Sequence, residues 1–357
     1  MALSHPLKGK SLLSRLKPFH ELEVCVNFLV LQRLKGSFFD DGGRTQFSSN
    51  TGSGEVEFSN WRKLDSRRLG VNKSMITLSS WSVLNNLRVA GFDAYLVGGC
   101  VRDLLLNRVP KDFDVITTAT LKQVKKNFQR AAIVGKRFPI CIVIVKGSLV
   151  EVSSFDTLDK KSRRQEVDSS QMPVGCDPGD FVRWKNCMNR DFTVNSLFFD
   201  PFRNVIFDYT NGMTDLKFSK LRTVIPAQSS FLEDQARILR GLRLAARLSL
   251  SFSKETEAAI YSLSSLIADL STIYSEILLP QSRISLEMNY MLSYGAAASS
   301  FLLLKRFKLL EILLPFQAAY LSKQVDSRLD VHSLMLMKLF FNLDQLVTCD
   351  RPCSPSM

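Results

Sequence analysis

Two carboxylates one residue apart, Asp112 and Asp114, lie inside the stretch YLVGGCVRDLLLNRVPKDFDVITT that begins at Tyr95. Side chains alternate faces along an extended strand, so the two acids share one face while Phe113 turns to the other, toward a core. Carboxylates held that close repel one another until a cation neutralises them. A hard, all-oxygen pair suits Mg²⁺, which binds one or two carboxylates together with substrate phosphates. A two-metal arrangement there would activate an attacking hydroxyl and stabilise a leaving pyrophosphate. A bare Asp-x-Asp is also what a solvated strand end looks like, so its setting decides. Gly98-Gly99 follows an apolar run and opens a helix, where unencumbered backbone N–H groups can approach a triphosphate. Alone that pair is a tight turn; with Arg102-Asp103 and the acid pair behind it, the combination is far rarer.

Those residues need a frame. Leu78, Trp81, Leu84 and Leu87 recur at helical spacing before Gly91 and predict a helix over 78–89. Ala94 to Val97 reads as a buried strand, Val101 to Leu106 as a helix, Phe113 to Ile116 as a strand that starts at the acid pair, and Leu121 to Arg130 as a helix. Cys141 to Val145 and Leu149 to Val152 form a hairpin around Lys146-Gly147-Ser148. Folded structure is expected from near Ile76. Residues 156–187, charged and broken by Pro173 and Pro178, read as a mobile loop. Beyond Asp215 the pattern turns helical, and Phe231 to Leu248 reads as one helix. At 100° per residue, Glu233, Arg237, Arg240, Arg243 and Arg247 share about a third of its circumference, opposite Ile238, Leu239, Leu242, Ala245 and Ala246. A solvated basic face would do the same, but arginine without lysine favours forked contacts to phosphates or base edges.

The expected architecture is therefore α+β. A head with a small mixed β-sheet and flanking helices spans 76–220, a helical neck 221–296, and a shortened helical body with an unstructured tail 297–357. Residues 1–75 form an N-terminal extension, glycine-rich between Gly36 and Asn60. Its first twenty residues carry Lys8, Lys10, Arg15 and Lys17 and no acid before Glu21. That suits an organellar transit peptide, mitochondrial or chloroplast, as well as it suits an ordinary tail on a cytoplasmic or nuclear protein.

Bulk composition narrows the classes. Hydrophobic residues make up 45% and charged residues 23% of 357, the balance of a soluble globular chain. No apolar run approaches the roughly 18–20 residues that span a bilayer, so no membrane partner is expected. The formal charge of +13 suits a polyanion. Seven cysteines lack metal-ligand or disulfide spacing, and His5, His20 and His332 are too few for a histidine-built zinc site. Carboxylates are left to carry the chemistry.

The stretch GGCVRDLLL…PKDFDV resembles the signature of the bacterial-type poly(A) polymerase and class II CCA-adding tRNA nucleotidyltransferase family, within the polymerase-β-like superfamily. The likeness continues in order along the chain. Glu151 stands where that superfamily has a third carboxylate. Asn189 to Leu197 (NRDFTVNSL) resembles the R-R-D-F-T-x-N motif that contacts the nucleotide's sugar and phosphates, with Asn189 departing from its first arginine. Asp208 to Leu216 (DYTNGMTDL) resembles the D-x-x-x-G-x-x-D-L hinge, and Glu233 to Arg237 (EDQAR) the E-D-x-x-R motif, followed by Arg240 and Arg243.

The resemblance implies catalytic residues Asp112, Asp114 and Glu151, with Asp112 and Asp114 as the Mg²⁺ ligands. It implies a nucleotide held by Gly98, Gly99, Arg102, Asp103, Arg190, Asp191, Asn195, Arg240 and Arg243, its base read by Asp234 and Arg237. The partners would be an RNA 3′ end and ATP, or CTP as well. Gly135-Lys136-Arg137-Phe138 resembles the G-R-R-F stretch of the bacterial poly(A) polymerases, and Asn195-Ser196-Leu197 their N-S-L. Both favour poly(A) addition over CCA addition. A catalytically weak RNA-binding form is a third reading, which the full carboxylate set disfavours.

Overall fold

The computed structural model describes residues 61–135, 138–157, 172, 175–268, 281–325, 334–347 and 351–353. The transit-peptide reading, the Lys136-Arg137 part of the G-R-R-F cue and the tail after Val347, apart from 351–353, lie outside them.

The head is built on one eight-stranded sheet. Its strands are β1 (Arg62–Asp65), β2 (Ala94–Val97), β3 (Val115–Thr117), β4 (Ala131–Val134), β5 (Ile140–Val145), β6 (Ser148–Ser154), β7 (Phe198–Asp200) and β8 (Val205–Asp208). They lie in the order β1-β8-β7-β2-β3-β6-β5-β4. Every pairing is antiparallel except β3 with β6, where Val115 faces Val152. One face packs Leu96, Val115, Val143 and Val152 against α1 (Leu78–Val89), α2 (Gly99–Leu105) and α3 (Leu121–Asn127). The alternate residues Tyr95, Val97, Ile116, Phe198 and Phe207 face the other way and are covered by α4 (Pro178–Met188) through Cys187 and Trp184. Burial of each such large side chain contributes about 1.5–3 kcal/mol.

Four sequence expectations change here. Among the described residues structure is already present at β1, well ahead of Ile76, with Arg62 to Asp65 paired along β8. A four-residue edge strand with three charged positions has no apolar alternation to betray it, and Lys63 is held by Asp180 at 2.7 Å instead. The acid pair does not start the strand: β3 begins at Val115, and Asp112 to Asp114 form the extended approach to it, with Phe113 turned into the core. The expected loop 156–187, of which 158–171, 173 and 174 lie outside the described residues, ends in α4, whose start is set by Pro178 and by Asp177 accepting from the Asp180 N–H. Its charged residues mislead because they are buried together: Arg183 donates to Asp180, Tyr209 and Tyr95. Finally, the arginine-striped helix expected over Phe231 to Leu248 is two helices, Ala227–Glu233 and Ala236–Leu248.

After β8 come α5 (Gly212–Lys217), β9 (Lys220–Leu221), α6 (Ala227–Glu233), α7 (Ala236–Leu248), β10 (Ser251–Phe252) and α8 (Lys254–Ala268). The break between α6 and α7 falls at Asp234, which is extended at φ −150° and ψ 98°. Its carboxylate accepts the Ala236 N–H at 3.2 Å, so the side chain competes with the helical backbone and starts a second helix. Beyond lie α9 (Gln281–Ser293), α10 (Ala297–Arg306), α11 (Leu310–Leu313), α12 (Pro315–Val325) and α13 (Met335–Leu346). Asp344 on α13 caps α10 by accepting from the N–H groups of Ala297 and Ala298.

Glycines allow close packing, at Gly241 between neck and head and at Gly212 within the head. A Cβ on Gly241 of α7 would lie 2.9 Å from the ring of the fully buried Phe192. A Cβ on Gly212 would lie 2.3 Å from the Thr193 carbonyl oxygen. Parallel pairing of β9 with β10 adds a second tie. Among the described residues no helix is long and apolar enough to cross a membrane.

Candidate active site

The acid pair opens into a cleft of about 300 Å³ between the head and the neck. Gly99, Arg102, Asp103, Asp112, Asp114 and Asn195 line its head side, and Arg240, Arg243, Arg247, Glu287, Tyr290 and Tyr294 its neck side. The turn at Gly98 shapes one end. At φ +82° and ψ −137° it adopts a conformation that only glycine holds without strain. A Cβ there would also meet Arg190 Nη1 at 3.2 Å and Asp114 Oδ2 at 3.7 Å. Gly98 thus lets an arginine and a carboxylate converge beside the backbone.

The carboxylates are positioned by β3 and its neighbour. Val115 is in register with Val152, so Asp114 and Glu151 precede those partners side by side and share a face. Asp112 is exposed at the mouth and Asp114 is half-buried. Burial, then the adjacent Glu151 carboxylate, push the Asp114 carboxyl up to about 6, with Asp112 acting the same way and Arg190 opposing. Glu151 itself does not line the cleft and acts on Asp114 from the neighbouring strand.

Around them runs a chain of charged hydrogen bonds. Arg102, buried on α2, donates from Nε and Nη2 to Asp103 Oδ1 at 2.8 and 2.7 Å, and from Nη1 to Asn195 Oδ1 at 2.6 Å. Asn195 donates in turn to Asp191 Oδ1 at 3.2 Å, and Asp191 Oδ2 lies 2.6 Å from Arg240 Nε. Burial alone would raise the Asp191 carboxyl, but Arg240, the Phe192 N–H and Asn195 hold it below the usual carboxylate range. The first arginine of this set is therefore a buried strut as much as a cleft wall. Arg190 donates to Asn186 and to the Asn195 carbonyl, with its guanidinium 5.7 Å from the Phe198 ring. Cys100 lies beneath the cleft with its thiol pushed up to about 12 by burial and then by Asp114, which keeps it unreactive.

Asp234 and Arg237, expected to read a base, sit outside the cleft lining. Asp234 forms a forked pair with Arg283, at 3.0 and 2.9 Å, and Arg237 donates to Ser230, Glu233 and the Asn189 carbonyl. That carbonyl contact ties the departing Asn189 to Arg237 through its backbone. Arg243 is paired with Glu287 at 2.7 Å. The hinge motif is structural: Asp208 accepts from the N–H groups of Thr210, Gly212 and Met213, and Asp215 accepts from Thr193 Oγ1.

Sequence reasoning missed Lys111 and the whole contribution of α9. Arg283, Glu287, Tyr290 and Tyr294 recur at i, i+4, i+7 and i+11. That spacing puts them within about 60° on one helical face. The spacing stands in the sequence, but a helical run does not announce which neighbour its face will meet.

A divalent cation fits this donor set. Asp114 carries a charge disfavoured by its two acidic neighbours, which a cation would reverse. Among the described residues no three acids, cysteines or histidines gather into a cage of their own. Two carboxylates at an open mouth suit an ion that keeps water and phosphate oxygens as its other ligands.

Comparison with known proteins agrees with this geometry. Residues 94–222 match the family described as "Poly A polymerase head domain", and residues 249–321 the one described as "Probable RNA and SrmB- binding site of polymerase A". Poly(A) polymerase I of Haemophilus influenzae is 34% identical over 249 residues, covering 69% of this chain and 53% of the relative. That of Escherichia coli is 30% identical over 289 residues, covering 80% and 60%. The chain thus spans a little over half the length of these relatives. Among solved structures, the Bacillus stearothermophilus CCA-adding enzyme in complex with CTP is similar at a TM-score of 0.51 and 28% identity, covering 65% of this chain and 52% of that one. With both domain matches and these relatives, the chain belongs to the family of bacterial poly(A) polymerases and CCA-adding enzymes.

Proposed function

We propose that the chain is a template-independent RNA 3′-end nucleotidyltransferase, transferring AMP from ATP to an RNA 3′-hydroxyl with release of pyrophosphate. The observation that carries this reading is the single cleft that gathers Asp112, Asp114, Gly99, Arg102, Asn195 and Arg240. The hydroxyl oxygen attacks the α-phosphorus of ATP in line, the bond to the bridging oxygen of the β-phosphate breaks, and the hydroxyl proton passes to the carboxylate set. Asp112 and Asp114 would hold Mg²⁺, which when bound neutralises phosphate charge and activates the hydroxyl. The helix start at Gly99 presents backbone N–H groups to the triphosphate, the Gly98 N–H being donated to the Leu197 carbonyl, with Arg190 behind the turn. Burial and then Glu151 disfavour the charge of Asp114, and the Arg102 strut fixes Asp103 and Asn195. Positioning and fixed charge supply most of the rate in such transfers.

The test is incorporation of labelled AMP into an unstructured RNA oligomer. Asp112→Asn and Asp114→Asn should each lower it at least about a thousandfold while the fold is retained. Incorporation that survives both changes would sink the assignment. Likeness to poly(A) polymerase I at up to 34% identity favours AMP addition. CCA addition is the second reading, favoured by a Streptococcus mutans CCA-adding enzyme 37% identical over 180 residues. Assay of a tRNA lacking its CCA end with ATP and CTP separates them: growth that stops after CCA would overturn poly(A) synthesis.

A further inference from the structure

Lys111, Tyr290 and Tyr294 meet at the mouth of the cleft, next to Asp112. The tyrosine rings are half-buried, 5.7 Å apart between centroids and tilted by 57°. The Lys111 ammonium donates to the Tyr294 hydroxyl at 2.9 Å and lies 5.0 and 4.7 Å from the two ring centroids. The Arg243 guanidinium lies 5.3 Å from the Tyr290 centroid. Half-exposed aromatic rings flanked by cations on the wall of a polar cleft make a surface for a flat, electron-rich group beside a phosphate.

In-line displacement decides which nucleobase belongs there. The attacking oxygen and the leaving pyrophosphate lie on opposite sides of the α-phosphorus. With the triphosphate against Gly99 and Arg102, the acceptor approaches from the Asp112 side, where Lys111 and the tyrosines stand. We propose that Tyr290 and Tyr294 form the platform on which the 3′-terminal base of the acceptor RNA stacks, with Lys111 taking its terminal phosphate. The proposal rests on the nucleotidyl-transfer reading of the same cleft and adds acceptor-positioning residues to it.

The test compares two fluorescent RNA oligomers, one ordinary and one with an abasic 3′-terminal residue, by anisotropy on the full chain without nucleotide. The wild type should bind the abasic oligomer about tenfold more weakly. Tyr290→Leu with Tyr294→Leu should bind both alike, and Tyr290→Phe with Tyr294→Phe should keep the preference. In turnover, the leucine pair should raise KM for RNA about tenfold, with kcat and KM for ATP shifting less than about twofold. Equal binding of the two oligomers by the wild type would overturn the platform, whatever the variants do. So would a rise in KM for ATP instead of RNA. If the tyrosines merely support Lys111, Lys111→Met would abolish the base preference by itself, which also overturns the proposal. A wild type that adds no AMP refutes the enzymatic reading, while the anisotropy comparison still judges the platform.

Discussion

At the scale of single residues, the charge state of Asp114 is the most sensitive quantity in the site. Its folded carboxyl titrates near 6, above the ordinary value of 3.8, because burial and then Glu151 disfavour its charge. Below pH 3.8 the group is protonated folded or unfolded and costs nothing; between 3.8 and 6 a penalty grows, and above 6 it is complete. Asp114→Asn should therefore raise the thermal midpoint of the metal-free protein at pH 7.5 and leave it almost unmoved at pH 3.5. Scanning calorimetry in chelator at both values checks this. Arg102 acts in the opposite sense. Arg102→Ala would leave Asp103 buried without its partner and should cost about 3–5 kcal/mol in urea unfolding. The acid pair, the Gly-Gly turn and Arg102 were all legible as residue types at a telling spacing. That Arg102 is a buried strut was not, because its partner Asn195 lies 93 positions away.

At the scale of elements, glycine positions and helix breaks carry the arrangement. Gly212→Ala would drive a Cβ to within 2.3 Å of a backbone oxygen that cannot move aside, so at least about 2 kcal/mol of stability should be lost, measured by denaturant unfolding. Arg283 and Asp234 make a different prediction. Their pair is partly exposed, at 44% and 24% for the two side chains, so Arg283→Ala should cost at most about 1 kcal/mol. Its effect should fall on nucleotide selection, read as the ratio of AMP to CMP incorporated. If that ratio stays fixed, Asp234 is not the base reader. Helix periodicity in Leu78–Val89 and the hairpin of β5 and β6 was plain in the sequence. The break at Asp234 was hidden because the surrounding residues keep a continuous helical pattern, interrupted by the extended backbone there and the carboxylate's bond from the Ala236 N–H. Helix α4 was hidden for the converse reason: its inward residues include Asp180 and Arg183, whose burial is repaid only by partners elsewhere in the fold.

At the scale of the whole molecule, the net charge of +13 and the arginine-lined cleft predict an acceptor affinity dominated by phosphate contacts. Raising salt from roughly 50 to 200 mM should weaken RNA binding at least about tenfold, with a linear plot of log affinity against log salt. The α+β head and helical remainder followed from pattern alone. The wall that α9 supplies did not, since nothing in a helical run announces which neighbour it will meet.

That wall has a consequence in time. Lys111 and Tyr294 are 183 positions apart, and Arg108 reaches the Arg247 carbonyl across 139. During synthesis the acidic half of the cleft leaves the ribosome long before the helix that completes it. Contacts of such long loop closure form late in folding. A nascent chain therefore carries Asp112 and Asp114 for many seconds with no matching wall, and the cleft is completed only once α9 has emerged.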